Sequence, residues 1–313
     1  MIRRVGIVGA GSMGGAIAGV VASAGLEVVL LDVRGDDEPN APARRGLERA
    51  VANRAFLDPD AVERVTVGNT DEHLSLLADC DWILEAIVED REVKRAFFRS
   101  LVDVVRSDAL ITTNTSTFAL ASLLPDEAAS WRERFFATHF FNPPRALLLT
   151  EVACLPEADR PRFDWFVRFL ERQLGRRALV VRDSPGFVAN RFGIYSLVLA
   201  IRLTGELGLT VEEVDALTGP LLGRPRSATF RTIDLTGLDI LVLGTGSLQE
   251  STGDDYSLPP WVRRLFDEGH LGDKTGGGFF RRDGDNQLSL DIETGTYRPY
   301  REPEIPGLAE VLS

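Results

Sequence analysis

Gly9-Ala10-Gly11-Ser12-Met13-Gly14 follows an apolar run, Val5–Val8, and opens a stretch with helical spacing, Met13–Ala24. Eighteen residues past Gly14 comes Asp32, at the end of a second apolar run, Glu27–Asp32. The glycine spacing alone says little in a chain with 29 glycines. Placed between a strand and a helix, and followed by an acid ending the next strand, it reads as a dinucleotide-binding turn. Gly9 makes the turn, Gly11 lets a pyrophosphate come close, and Gly14 packs helix on strand. Ser12 and Met13 lie at the helix N-terminus, where the backbone favours phosphate. Asp32 accepts from a ribose 2′-hydroxyl and repels a 2′-phosphate, so NAD is favoured over NADP. Arg34, two residues on, keeps NADP open, and the fingerprint alone also admits a flavin.

Working outward, the first half alternates strand-like and helix-like segments, the pattern of βαβ units and a parallel sheet. Strands are expected at Arg64–Val67, Trp82–Val88, Leu110–Thr113, Phe135–Phe141, Leu147–Val152 and Ala178–Val181. Helices are expected at Arg44–Phe56 and Asp90–Val105. At Asp183-Ser184-Pro185-Gly186 the pattern breaks, because the residue before a proline is pushed out of helical geometry. Beyond it the apolar spacing is helical over Val188–Leu207, Val211–Leu217 and Pro259–Phe266. The expected architecture is α/β: a Rossmann-type dinucleotide-binding domain over 1–184, then a smaller all-α domain over 185–298. A Pro-rich tail or linker fills 299–313.

Composition narrows the class. The 313 residues suggest two domains at about 150 residues each. A net charge of −12 argues against nucleic acid or an anionic membrane surface as partner. No apolar run approaches the ~20 residues of a membrane span, and no signal peptide fits the N-terminus. Two cysteines, Cys80 and Cys154, rule out a disulfide framework and suit a reducing cytoplasm. The 35 basic residues are 33 arginines and only two lysines, Lys94 and Lys274.

Of three histidines, His139 stands at the end of an expected strand, where ligand crevices of α/β sheets open. Twelve residues on, Glu151 lies inside an apolar strand, where a carboxylate is costly unless paired. A strand–turn–strand return would bring the two together. Spacing alone equally allows a satisfied core histidine and an unrelated edge glutamate. His73 and His270 sit in polar, turn-like contexts and are read as solvated.

Six stretches in order resemble the L-3-hydroxyacyl-CoA dehydrogenase family: Gly9–Ala18, Glu85–Asp90, Asn114–Thr117, His139–Pro143, Asp183–Arg191 and Gly272–Phe279. The resemblance runs from about residue 2 to residue 300. Val67–Asp71 and Asp215–Asp239 look closest to large bacterial members that carry an enoyl-CoA hydratase domain downstream. The resemblance implies an NAD-dependent oxidation of acyl-CoA 3-hydroxyls in β-oxidation, by a protein that dimerises through its helical domain. It makes His139 the general base and Glu151 the acid that orients it. Ser116 and Asn190 match the polar groups around the substrate oxygen. Glu89, Lys94, Ser116, Asn142 and Lys274 match cofactor-contacting positions, and the site is expected in the cleft between domains.

The match departs in one interval. Family members carry a longer helical hairpin after strand two, with a Ser and a Lys that contact CoA. Here the interval is short, broken at Pro39 and Pro42, and holds no lysine. Arg44, Arg45, Arg49 and Arg54 are the candidates to admit CoA's phosphates to an acidic chain, and each reads equally well as a solvated surface arginine. The weakened hairpin motivates a rival, a relative acting on a free hydroxy acid of the gulonate or carnitine type. A non-catalytic NAD-binding protein is the rival from another class.

Overall fold

In the computed structural model, which describes residues 1–305, the eight-stranded main sheet has the order β3-β2-β1-β4-β5-β6-β7-β8. Its strands are β1 (Arg4–Val8), β2 (Glu27–Asp32), β3 (Val65–Asn69), β4 (Trp82–Glu85), β5 (Leu110–Thr113), β6 (Phe135–Phe140), β7 (Leu149–Cys154) and β8 (Arg177–Val180). Neighbours pair in parallel, except β6 with β7. The central strands are buried on both faces, so their apolar runs are continuous rather than alternating. Alternate side chains serve opposite cores. Trp82, Leu84 and Phe136 pack with Phe163 and Phe166 on one face, while Ile83, Phe135 and Ala137 pack with Phe98 and Trp131 on the other. Each such aromatic contributes about 1.5–3 kcal/mol by leaving water.

The helices α1 (Ser12–Ser23), α2 (Ala41–Ala52), α3 (Arg91–Ser100), α4 (Leu120–Leu123) and α5 (Arg160–Arg172) cover these faces. α2 begins before the expected Arg44, with Pro42 in its first turn, where no N–H is needed. α3 is capped by Asp90, whose carboxylate accepts from the Val93 N–H, and stops at Ser100 rather than Val105. The Ser100 hydroxyl donates back to the Phe97 carbonyl, which competes with continuation of the helix.

The chain divides into two compact units, Met1–Val188 and Ala189 onward. The break at Pro185-Gly186 is present, with φ of +72° at Gly186 and +44° at Phe187, yet the next residues stay with the first unit. Phe187 is buried in its core, and the Val188 N–H donates to Glu151 Oε1 at 2.9 Å. By its contacts the first compact unit thus extends through Val188.

The second unit comprises α6 (Ala189–Glu206), α7 (Val211–Thr218), α8 (Phe230–Thr236), α9 (Leu238–Thr252) and α10 (Pro260–Asp267). Phe230, Trp261 and Phe279 form its aromatic centre, with the Phe230 and Phe279 rings 4.7 Å apart. This helical unit also holds a small antiparallel sheet not expected from the sequence: β9 (Phe280–Asp283), β10 (Asn286–Leu290) and β11 (Tyr297–Pro299). Pro299, where the expected tail starts, ends β11; residues 306–313 of that tail lie outside the described residues. Glu212 of α7 fastens the sheet. Its buried carboxylate accepts from both Arg298 Nη atoms at 2.7 and 2.9 Å, and from the Ser289 hydroxyl at 2.6 Å. No described helix is long and apolar enough to cross a membrane.

Removing Arg298 strands a buried carboxylate, so Arg298→Met is expected to cost about 3 kcal/mol in the calorimetric unfolding of the second unit. Although burial works to raise it, the Arg298 guanidinium and the Ser289 hydroxyl hold the Glu212 carboxyl below its ordinary 4.5. Its contribution is therefore complete above that pH and is lost as pH falls further. Wild-type unfolding that Arg298→Met leaves unchanged would remove the clamp.

Candidate active site

The turn between β1 and α1 is built for close approach. Gly9 sits at φ +96°, where a Cβ would overlap the Ala86 carbonyl. A Cβ on Gly14 would overlap the Gly9 carbonyl. Around Gly11, by contrast, there is open space within 4 Å of where a Cβ would stand. Gly11 caps α1, whose first N–H groups have no helical acceptor, so Ser12 and Met13 present donors there. Asp32 braces the turn: Oδ2 accepts from the Ala10 N–H at 2.7 Å and Oδ1 from the Val33 N–H. A cavity of about 530 Å³ opens beside it, lined by Gly11, Asp32, Val33, Asp71, Val88 and Phe97 among others. These residues fit a dinucleotide with its adenosine half on Asp32. Arg34 turns to Glu72, with Nε 3.3 Å from its carboxylate, and is not held at the cavity.

The antiparallel pairing of β6 and β7 sets His139 directly opposite Glu151. His139 Nδ1 lies 2.8 Å from Glu151 Oε2, and the two are 6% and 0% exposed. A carboxylate only accepts, so Nδ1 carries the proton and donates. With the proton on Nδ1, Nε2 is the nitrogen turned away from Glu151, the one that carries the lone pair whenever the ring is neutral. Phe141 and Phe187 flank the imidazole, with centroids 4.6 and 5.9 Å away. The Asn114 carboxamide oxygen accepts from the Phe140 N–H at 2.9 Å, tying the loop after β5 to the residue beside His139. The sequence marks Asn114 only as part of the Asn114–Thr117 stretch and gives no partner for its side chain.

A second buried group closes the end of β4. Glu85 is fully buried, and its carboxylate accepts from Lys94 Nζ at 2.5 Å, the Thr113 hydroxyl at 2.6 Å and the Ile87 N–H at 2.8 Å. Burial pushes the Glu85 carboxyl up against the pull of the Lys94 ammonium. Glu89 also meets Lys94, at 3.2 Å, and its Oε1 accepts from the Thr115 hydroxyl and the Ser116 and Thr117 N–H groups. Although burial works to raise it, the Lys94 ammonium and these donors hold Glu89 below the ordinary carboxylate range. Lys94 is thus 1% exposed and paired with both carboxylates. Glu85 was missed as a functional residue; its signal is a carboxylate ending an otherwise apolar strand.

Asn142 is exposed after β6 and lines a second cavity of about 590 Å³ with Ser12, Arg49, Arg54 and Arg145. Arg49 donates to the Ala10 carbonyl at 3.0 Å and Arg145 to the Arg54 carbonyl at 2.6 Å. Arg44, by contrast, pairs with Glu38 at 2.7 Å. Asn190 stands in the first turn of α6, and Lys274 pairs with Asp239; both belong to the second unit. His73 and His270 are half-buried rather than solvated. His73 Nδ1 accepts from the Asn69 N–H at 3.3 Å, and the His270 ring meets Tyr297 edge-on at 5.8 Å.

Models of the 3-hydroxyacyl-CoA dehydrogenase NAD binding domain and C-terminal domain match residues 4–184 and 186–282. The chain is 41% identical over 299 residues to a probable 3-hydroxyacyl-CoA dehydrogenase of Deinococcus radiodurans, covering 94% of this chain and 86% of that protein. It is 31% identical over 328 residues to a putative fatty acid oxidation complex trifunctional enzyme of Rickettsia prowazekii. That match takes in all of this chain but only 46% of the Rickettsia protein. The crystal structure of (S)-3-hydroxybutyryl-CoA dehydrogenase PaaH1 from Ralstonia eutropha is similar with a TM-score of 0.74 at 29% identity, covering 89% of this chain and 98% of that one.

The glycine geometry separates binding from folding. Gly11→Ala is expected to keep the wild-type melting temperature while weakening NADH about tenfold, a change of about 1.4 kcal/mol, by fluorescence titration. Gly14→Ala should instead lower the melting temperature. Wild-type NADH affinity in Gly11→Ala would show that the cofactor does not approach there.

Proposed function

The chain belongs to the 3-hydroxyacyl-CoA dehydrogenase family and is an NAD-dependent dehydrogenase, and from that premise we propose that it oxidises (S)-3-hydroxyacyl-CoA to 3-ketoacyl-CoA with His139 as base. The observation that carries this reading is the buried 2.8 Å contact between His139 Nδ1 and Glu151 Oε2. Nε2 takes the proton of the 3-hydroxyl, and Glu151 stabilises the imidazolium that results. The Val188 N–H on Glu151 Oε1 fixes the rotation of that carboxylate, and with it the ring. Bound NAD supplies the acceptor for the hydride leaving C3. Ser116 and Asn190 hold the substrate oxygen in this reading. Gly9, Gly11, Ser12, Met13, Gly14 and Asp32 are assigned to the cofactor in the same reading, together with Glu89, Lys94, Ser116, Asn142 and Lys274.

The cavity beside Asn142 supports a CoA thioester over a free acid. Arg49, Arg54 and Arg145 are among the residues that line it, and guanidinium binds phosphate bidentately. The reaction class belongs to β-oxidation, where a hydratase supplies the 3-hydroxyacyl thioester. The name of the Rickettsia relative fits a partner activity of that kind carried elsewhere on a longer chain. Self-association through the second unit is part of the same reading. Phe192, Tyr195, Leu199 and Leu203 recur along one face of α6 and are all exposed. A second copy is the occupant proposed for that face.

His139→Ala is expected to lower the reduction of acetoacetyl-CoA by NADH about 10²–10⁴-fold while NADH still binds. Free acetoacetate should be reduced far more slowly than acetoacetyl-CoA by the wild type. Equal rates would sink the CoA assignment, and unchanged activity in His139→Ala would sink the base. By light scattering the wild type should be a dimer and Leu199→Glu a monomer; a monomeric wild type would remove the proposed interface.

A further inference from the structure

Asp32 closes β2, and Arg34 follows in the loop that leaves the strand. In dinucleotide folds an acid at the strand end takes the free 2′-hydroxyl of NAD, whereas a nearby arginine accommodates the 2′-phosphate of NADP. This chain carries both groups. Among the described residues that line the cavity beside Asp32, Asp32 and Asp71 bring carboxylates and none is basic. The Arg34 guanidinium is turned instead to Glu72, its Nε donating to Oε1 at 3.3 Å.

Glu72 is itself held in place. Asp32 and Asn69 are partners in the parallel ladder of β2 and β3, and Asn69 is fully buried. Its Oδ1 accepts from the Asp71 and Glu72 N–H groups at 3.1 and 2.9 Å. Its Nδ2 donates to Asn40 Oδ1 at 2.7 Å and to Glu72 Oε2 at 2.9 Å. The carboxamide thereby uses both donors and both lone pairs. One carboxylate oxygen of Glu72 is committed to a buried anchor, and the other meets Arg34. The Asn69 carboxamide and the Arg34 guanidinium hold the Glu72 carboxyl below its ordinary 4.5, so it stays charged at neutral pH. An exposed ion pair normally loses much of its gain to the ordering of two long side chains. Here Glu72 is ordered by Asn69, and only the arginine remains to be fixed. Resting on the reading above that seats the adenosine half on Asp32, we infer that Glu72 is a specificity-determining residue: it withholds Arg34 from a 2′-phosphate. Asp32 repels that phosphate, and Glu72 removes the cation that would compensate.

The test titrates NADPH and NADH by fluorescence, at low ionic strength, into the wild type, Glu72→Gln, Arg34→Ala and the double variant. Glutamine keeps an acceptor for Asn69 Nδ2 but loses the charge that holds Arg34, and both side chains are exposed, so the fold is retained. Glu72→Gln is expected to bind NADPH about fivefold more tightly, with NADH within about twofold of the wild type. Arg34→Ala alone should leave NADPH within about twofold, because the guanidinium it removes is already engaged. In the double variant the gain should vanish. A gain that survives the loss of Arg34 would mean that Glu72 acts through its own charge, and would overturn the inference. Unchanged NADPH affinity in Glu72→Gln would overturn it too, as would a loss of about fivefold in Arg34→Ala alone. Asp32→Asn, titrated alongside, separates the underlying reading from the inference: NADH should weaken about tenfold. If NADH is unmoved there, the adenosine half does not sit on Asp32, and placement and inference fall together. If NADH responds there while Glu72→Gln changes nothing, the inference falls alone.

Discussion

Charge buried at the carboxyl ends of the central strands has to be compensated where it stands, and the loops around the site take their shapes from that demand. Glu85 closes β4 and finds Lys94; Glu151 in β7 finds His139. Arg176, 4% exposed just before β8, donates to the carbonyls of Pro144 and Leu147 and to the Thr150 hydroxyl, with its guanidinium 5.5 Å from the Phe140 ring. Thr150 and Phe140 are the neighbours of Glu151 and His139 in the ladder. The loop that joins the two partner strands is thus held from beneath by a cation. An exposed ion pair is worth about 0–1 kcal/mol, whereas depriving a buried charge of its partner costs about 3–5 kcal/mol. That difference is why these contacts, and not the many surface pairs, govern loop geometry.

Local features were legible in the sequence, and distant compensation was not. Gly9–Gly14 and Asp32 could be read because a turn, a helix start and a strand end each leave a mark within a few residues. The His139–Glu151 pairing was anticipated through the family resemblance, since spacing alone left a core histidine and an unrelated edge glutamate open. Glu85 escaped as a functional residue because its partners, Lys94 and Thr113, lie 9 and 28 residues away on other elements. His73 and His270 were misjudged because polar neighbours in sequence do not report burial: His73 accepts from the Asn69 amide four residues back, and His270 meets the Tyr297 ring.

The sheet of the second unit illustrates a different blindness. Arg281, Arg282, Asp283 and Asp285 make its hairpin look like a charged surface loop, although Gly284, at φ +59°, marks a tight turn. The strands are short and mostly exposed, so burial leaves little periodicity to detect. What keeps them in place is the buried carboxylate of Glu212 together with Phe280 and Leu290, which are buried in the core of the unit.

That clamp also sets a functional limit on where the gene can be cut. The family model of the helical unit ends at residue 282, and a shortened gene ending there would still encode every motif of the fold. Its product would lack Arg298 and Ser289 and leave Glu212 desolvated without a counter-charge. Recombinant boundaries for this unit are therefore decided by charge neutrality some sixteen residues beyond the last recognisable signature (298 − 282). A library of truncations would show an abrupt loss of expression between those two positions rather than a gradual one.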